Sequence, residues 1–171
     1  LNGRHIDKTI LGLSIFVKQY PDVDIKYDIV GDGSELELLT DLVYKEKVQR
    51  YVTLHGRIPH NKLKSFFDLC NVGVTFIPIT SYYNFQPPTK VYEYALSGLF
   101  QIATSTTANS MLINEDLGVL INDTSEDFAA ALEKIHNINL NIDESRIRAY
   151  YSSSTWHNIV NTNLKPILKL L

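Results

Sequence analysis

The sequence predicts an α/β domain built on a doubly wound, mostly parallel sheet, and three observations carry that prediction. Short β-rich runs alternate with amphipathic helical stretches along the chain, the pattern of parallel strands joined by helical crossovers. The runs end in turn-forming residues such as "GDGS" and "FIP", where a parallel sheet hands its strands to loops. The 171 residues, 44% of them apolar, suffice for one core and scarcely for two.

Each element follows from local pattern. Ile10, Leu13, Phe16 and Val17 recur at helical spacing until Pro21 and Asp22 break it, so a helix is predicted over about 6–19. The run Ile25 to Val30 reads as a buried strand. It enters "GDGSELELL", where Ser34 is placed to cap a helix and Glu37 to close a capping box. "YVTLHG" reads as a strand, "HNKLKSFFDLC" as an amphipathic helix carrying Leu63, Phe66, Phe67 and Cys70, and "VGVTFIP" as a strand ended by Pro78. Pro87 and Pro88 suit the start of the next helix, "TKVYEYALSG", with Val91, Tyr94 and Ala95 turned inward and Gly98 as its left-handed stop. "LFQIAT" is an apolar run, and a small element is expected near Met111 to Ile113. "GVLIND" is a further strand, and "TSEDFAAALEKI" a helix with Phe128, Leu132 and Ile135 as its buried stripe. From about Ser145 to Leu171 a last helix is expected, and it holds Trp156.

Composition narrows the function classes. A net charge of -3 leaves no broad basic face for nucleic acid or anionic membrane. The single cysteine, Cys70, rules out a disulfide framework and zinc clusters and reads as a small buried residue in a reducing compartment. No apolar run is long enough to span a membrane and the first residues do not resemble a signal peptide, so a soluble protein is expected. The chain starts at Leu1 rather than methionine, which suggests a processed chain or a piece of a longer one.

In an open parallel sheet, ligands gather beyond the carboxyl ends of the strands. Four segments fall there: "NGRHIDK", "GDGS", "HGRIPH" and "FIPITSYYNFQPPTK". Their glycines admit close backbone approach, while Arg4, Lys8 and Lys90 match phosphate and Glu93 matches a pair of hydroxyls. A nucleotide carrying a sugar fits these residue types. Lys90 and Glu93 share a helical face, which serves such a ligand or simply makes a surface ion pair. Tyr82, Tyr83 and Phe85 line a sugar pocket or pack as a loop. Asp32, and the pair Asp22 and Asp24, read as turn residues, His55 as a wall residue, and none of the histidines has metal spacing.

Five segments, "GRHIDKTILGLSIF", "YDIVGDGSELELL", "VTLHGRIPHNKLKSFFDLCNVGVTFIP", "PPTKVYEYALSG" and "GVLIND", occur in the order and spacing of a known family. Together they resemble the C-terminal, Rossmann-like domain of GT-B glycosyltransferases of the family 4 type found in capsule and polysaccharide assembly. The resemblance implies a donor-binding half domain, residues 1–171, whose N-terminal acceptor partner domain is absent from this chain. It implies a nucleotide-diphosphate sugar as donor, with UDP favoured, and transfer with retention to a saccharide or lipid-linked acceptor. No cofactor or metal is implied, and the expected location is cytoplasmic, at the inner membrane face.

By the same resemblance, Arg4 and Lys8 hold the diphosphate and neutralise the leaving group. Gly3, Gly31 and Gly33 let backbone approach the donor, Arg57 and Ile58 lie along the base, Thr89 and Lys90 flank the phosphates, and Glu93 contacts the ribose. The family's first glutamate falls at Phe85, so this sequence lacks it, and Gln86 beside it offers a neutral contact to the sugar. The family's domain also opens with a strand ahead of Gly3, of which Leu1 leaves the tail, and Trp156 resembles the family's late tryptophan, which implies a packing anchor. The isolated domain is expected to bind donor without turnover. Two other readings are a nucleotide-sugar epimerase of the same two-domain plan and a non-catalytic nucleotide-binding module. A dinucleotide-dependent oxidoreductase is disfavoured because "GDGSEL" lacks the third glycine of the fingerprint.

Overall fold

The computed structural model describes residues 3–86, 88–137 and 142–168. Its elements run α1 (Ile6–Gln19), β1 (Tyr27–Val30), α2 (Leu36–Lys45), β2 (Val52–Gly56), α3 (His60–Phe67), β3 (Val72–Thr75), α4 (Thr89–Leu96), β4 (Phe100–Thr104), α5 (Thr107–Leu112), β5 (Gly118–Ile121), α6 (Ser125–Asn137) and α7 (Glu144–Tyr150). All strand pairs are parallel: β1 with β2, β3 with β4, and β4 with β5. This is the α/β class that the alternation predicts, in two ladders, β1-β2 and β3-β4-β5.

Helices cover both faces. On one, α1 and α2 bury Ile10, Leu13, Phe16, Leu39 and Val43 against Ile29 and Val52, while Phe128 of α6 packs on Phe76, Ile102 and Ile121. On the other, Val91 and Ala95 of α4 join Phe100, Ala103, Ile113 and Ile147. Every residue of β4 is buried, as expected for a strand with a neighbour on each side and helices on both faces. Of the stripe expected on α6, Phe128 is fully buried, whereas Leu132 and Ile135 are partly buried and pack on the core. α1 lies against the start of α6, with Gly12 facing the Ser125 carbonyl and Phe128. Tyr20 adds a hydrogen bond to the Glu133 carboxylate at 2.7 Å.

α4 ends as its sequence predicts. Gly98 takes φ 83, and the amides of Gly98 and Leu99 donate to the carbonyls of Ala95 and Tyr94 at 2.9 Å, the paired closure that a left-handed residue permits. Three local expectations are corrected. Ser34 does not cap α2: that helix starts at Leu36 after Glu35, without a side-chain cap. The Leu36 amide already donates to the Gly33 carbonyl at 3.1 Å, so a tight turn satisfies the first amide.

The C-terminal stretch is not one helix. After α7 come a 3-10 turn at Ser152–Ser154, α8 (Trp156–Ile159), a π turn at Val160–Leu164 and α9 (Lys165–Leu168). Ser152 Oγ bonds back to the Ala149 carbonyl and Thr155 Oγ1 accepts from the Asn158 amide; such local bonds compete with helix continuation. Pro166 then removes an amide from the last turns. Trp156 is 82% exposed and anchors nothing in the core. Leu1, Pro87 and the last residues of the expected terminal helix lie outside the described residues.

Candidate functional site

The carboxyl ends of β1, β2 and β3 converge with the starts of α1 and α4 around one cleft. Gly31 closes β1 onto β2, its amide donating to the Gly56 carbonyl at 2.8 Å. Gly56, at φ 64, turns the chain out of β2 so that Arg57 and Ile58 reach the cleft. Pro88, extended at φ -73, leads into α4 without a side-chain cap. The Val91 amide donates to the Pro88 carbonyl at 3.2 Å, and the amino end of the helix borders the cleft at Thr89 and Lys90, where a helix attracts anions.

The cleft has a volume of about 680 Å³. At its mouth stand Arg4, Gly31, Arg57, Ile58, Gln86, Thr89 and Lys90. These are seven of the eleven positions that the sequence singles out, gathered from four separate loops. Below the mouth the lining turns apolar, with Ile29, Val72, Val74 and Phe76 from the strands and Phe66, Phe67 and Tyr94 from the helices.

The other four sit nearby with partners of their own. The Gly3 amide, at φ 68, points to Glu35 Oε1 at 3.5 Å. The Gly33 amide donates to Asp32 Oδ1 at 2.8 Å, so Asp32 braces its own turn. The Lys8 ammonium donates to the Asp123 carbonyl at 2.6 Å and lies 3.9 Å from the Asp123 carboxylate. Asp123 also accepts from the Ile79 amide at 3.1 Å, so one acid ties the first turn of α1 to the loops after β3 and β5. Glu93 holds Lys90 at 3.0 Å, with side chains 30% and 48% exposed. The ion pair suggested by their spacing is thus present.

Arg4 reaches the cleft over an aromatic ring, its guanidinium carbon 5.0 Å from the Tyr83 centroid. Tyr83 packs edge-on against Tyr82 at 4.9 Å, whereas Phe85 is 73% exposed. The loop is braced by Asn84, which accepts from the amides of Thr107 and Ala108 at 2.9 Å. Tyr83, one of the aromatic residues the sequence offered as a pocket wall or a packed loop, borders the cleft. Asp123 is the site neighbour that sequence reasoning missed, because its partners lie far along the chain and no local pattern marks it.

Flanking groups are quieter. His55 Nε2 lies 2.6 Å from Asp28 Oδ1 and its ring meets Phe66 edge-on. Cys70 is half-buried, and burial followed by the Asp28 charge pushes its thiol pKa up, away from nucleophilic use. Burial likewise pushes the Tyr94 phenol up. Asp22 and Asp24 line a separate hollow of about 410 Å³ with Lys26 and Arg50, beside the amino end of β1. Among the described residues, no group of acids, histidines and cysteine is arranged to hold a metal ion. No helix there is long and apolar enough to cross a membrane.

Comparison with known families places this geometry. The family described as Glycosyl transferases group 1 matches residues 3–137. The chain belongs to that family. Among solved structures, this group 1 domain is similar to the pneumococcal O-GlcNAc transferase in complex with UDP and GlcNAc, at 17% identity and TM-score 0.79, covering 99% of this chain and 34% of that one. It is similar to Anabaena HepE in complex with UDP at 15% identity and TM-score 0.75, covering 100% and 46%. It also matches the C-terminal domain of a Francisella tularensis glycosyl transferase group 1 protein at 16% identity and TM-score 0.64, covering 95% and 80%. The group 1 domain thus spans between a third and a half of the first two proteins. Comparison with curated protein sequences finds no match to this chain.

Proposed function

We propose that this group 1 domain is the donor-binding half of a glycosyltransferase and takes a nucleotide-diphosphate sugar at the mouth of the cleft. The observation that carries the reading is the convergence of Arg4, Arg57, Lys90 and the amino end of α4 at the carboxyl ends of parallel strands. Cations beside the backbone turn at Gly31 suit a diphosphate, and a nucleoside-diphosphate leaving group needs that charge most in the transition state.

In this reading Arg4 and Lys90 neutralise the diphosphate, and Lys8 joins them by exchanging its Asp123 contact for a phosphate oxygen. Gly3, Gly31 and Gly33 give room for backbone approach. Arg57 and Ile58 border the base, with uridine favoured. Thr89 and Gln86 face the phosphates and the sugar. Glu93 accepts from the ribose hydroxyls while keeping Lys90 aimed at the phosphates. Transfer proceeds with retention and without a metal, to a saccharide or lipid-linked acceptor held by a second domain, in the cytoplasm at the inner membrane face. Capsule or polysaccharide assembly is the proposed context.

One observation favours a second reading, a nucleotide-binding module without catalysis: Phe85 stands exposed where the family resemblance calls for a glutamate. Calorimetric titration with UDP, GDP, CMP and their sugar conjugates, with and without magnesium, tests the proposal. Saturable, magnesium-independent binding of one nucleoside diphosphate is expected, and absence of binding to the folded protein in every arm would overturn it. Glu93→Ala is expected to weaken that binding by about 1–3 kcal/mol, the loss of hydrogen bonds to a charged acceptor. An unchanged affinity would remove Glu93 from the ribose.

A further inference from the structure

The connection between β3 and α4 sorts its aromatic residues. Ser81 to Phe85 form a continuous turn that carries Tyr82, Tyr83 and Phe85. Tyr83 goes inward, lining the cleft with the Arg4 guanidinium over its ring. Tyr82 and Phe85 go outward and are 74% and 73% exposed. Single exposed rings are commonplace on protein surfaces, so exposure alone assigns nothing. The bracing of the turn and its chemistry do.

The turn is held along its whole length. Asp123 accepts from the Ile79 amide at 3.1 Å. Thr80 accepts from the Asn84 amide at its carbonyl, 2.9 Å, and from the Tyr83 amide at Oγ1, 3.3 Å. Asn84 accepts in turn from the Thr107 and Ala108 amides of α5, both at 2.9 Å. Tyr82 leans edge-on against Tyr83 at 4.9 Å. Rings on a backbone fixed this way lose little freedom when a ligand arrives, which is what makes them good anchors.

The chemistry of the turn selects the ligand. From Asn71 to Thr89 the sequence has no charged residue, and Thr80, Ser81 and Gln86 are exposed around the two rings. Flat apolar rings among neutral hydroxyls and an amide match a ligand with an apolar face, many hydroxyls and no charge. A pyranose ring is such a ligand: its C–H groups make the apolar face and its hydroxyls edge it. An anionic lipid surface is held by lysine and arginine clusters, which this segment lacks. The position agrees. Tyr83 touches both Arg4 and Tyr82, so Tyr82 stands one ring beyond a cation of the cleft mouth. Phe85 falls between Tyr83 and Gln86, which both line the cleft.

We propose that Tyr82 and Phe85 form a subsite for a neutral sugar ring, outside the donor cleft and beside its mouth, where the nearest ring of a saccharide acceptor rests. The subsite favours a saccharide over a lipid chain as the part of the acceptor that meets this domain, and it gives the domain a share in holding it. The acceptor role rests on the donor-site reading above; the sugar contact itself does not.

Titration of the Tyr82 and Phe85 ring resonances by NMR tests both. The probes are methyl glucoside, methyl galactoside, N-acetylglucosamine and maltose, with glucuronic acid as the charged control, each with and without UDP. Ring shifts that saturate with a neutral sugar are expected, with a weaker response to glucuronic acid. Replacing both residues, Tyr82→Ser with Phe85→Ser, should weaken that binding by at least about 10-fold. Tyr82→Phe should keep it, because the ring and not the hydroxyl makes the contact, and UDP affinity should be unchanged in these variants. No saturable response to any neutral sugar, with UDP binding intact, would overturn the subsite. So would equal sugar binding by the doubly substituted protein. Ring shifts seen only with phosphatidylglycerol vesicles would overturn it in favour of a lipid surface, and shifts that grow with protein concentration alone in favour of a second copy. Sugar binding without any UDP binding would overturn the donor reading and leave the sugar contact standing.

Discussion

Gly12 sets how closely α1 approaches α6, and replacing it with alanine makes a quantitative test. An added Cβ would lie 2.5 Å from the Ser125 carbonyl oxygen and 3.0 Å from both Cβ and Cδ1 of Phe128. Two effects oppose. Alanine gains about 1 kcal/mol over glycine inside a helix, but an extra carbon in a full core costs about 1–3 kcal/mol and more when backbone must move. Here the nearest atom is backbone, and Phe128 is held by Phe76 and Tyr27 at 6.2 and 6.1 Å between ring centroids. The steric cost therefore wins, and Gly12→Ala is expected to lose about 1–3 kcal/mol net. Urea denaturation followed by far-ultraviolet circular dichroism should show the midpoint falling by about 1 M at unchanged slope. Heating should show a drop of about 2–4 °C for each kcal/mol lost. A midpoint equal to or above that of the parent would refute the argument, because helix propensity would then have outweighed the contact.

Other expectations are smaller in scope. Lys90→Ala should weaken UDP by about 1.5–3 kcal/mol, the worth of a bond to a charged group, and UMP by much less. Stability should barely change, since its exposed pair with Glu93 at 3.0 Å contributes little; equal losses for both nucleotides in calorimetry would make Lys90 a surface residue only. Glu46 accepts from Ser14 Oγ at 2.8 Å and from Lys18 at 3.1 Å, and these bonds, Ser14 first, hold its pKa below the ordinary 4.5. Its stabilisation is whole above that value and drains as pH falls toward the folded one, so Ser14→Ala should flatten the loss of stability between about pH 6 and pH 3. Parallel curves for the two proteins would count against it. At the other extreme, burial pushes the Tyr27 phenol from 10.0 up to about 12. Its neutral form is favoured in the fold, so stability is kept below the unfolded value and lost as pH rises through the folded one. Tyr27→Phe should show a shallower alkaline decline, and an identical decline would refute that assignment.

Much of the fold is written locally. The switch between β-rich runs and helical stripes marks β1 through α6 because each element buries a face of its own period. Gly98 is legible because only a left-handed residue closes α4 there. α5 is less so: the sequence points to Met111 to Ile113, but the helix starts at Thr107, where Thr106 Oγ1 accepts from the Asn109 amide at 3.2 Å. Ser34 misleads because a glycine turn satisfies the amide it would have served, and the serines after Tyr150 break a helix that the apolar spacing alone would continue. In the site, the residues at the mouth of the cleft are legible because loops after parallel strands converge by topology. What Lys8 does is not, since Asp123 lies 115 positions away and the bond between them is a product of folding.

Trp156 is the only tryptophan in the chain and lies on the exposed tail beside Ile159, Leu164, Ile167 and Leu168. Its emission therefore reports on the tail and not on the core: the native protein should fluoresce at the red, water-exposed end of the tryptophan range and change little in denaturant. A blue shift would mean that the indole had left water. The chain thus carries an intrinsic optical reporter of its C-terminal tail that is nearly silent to unfolding of the core.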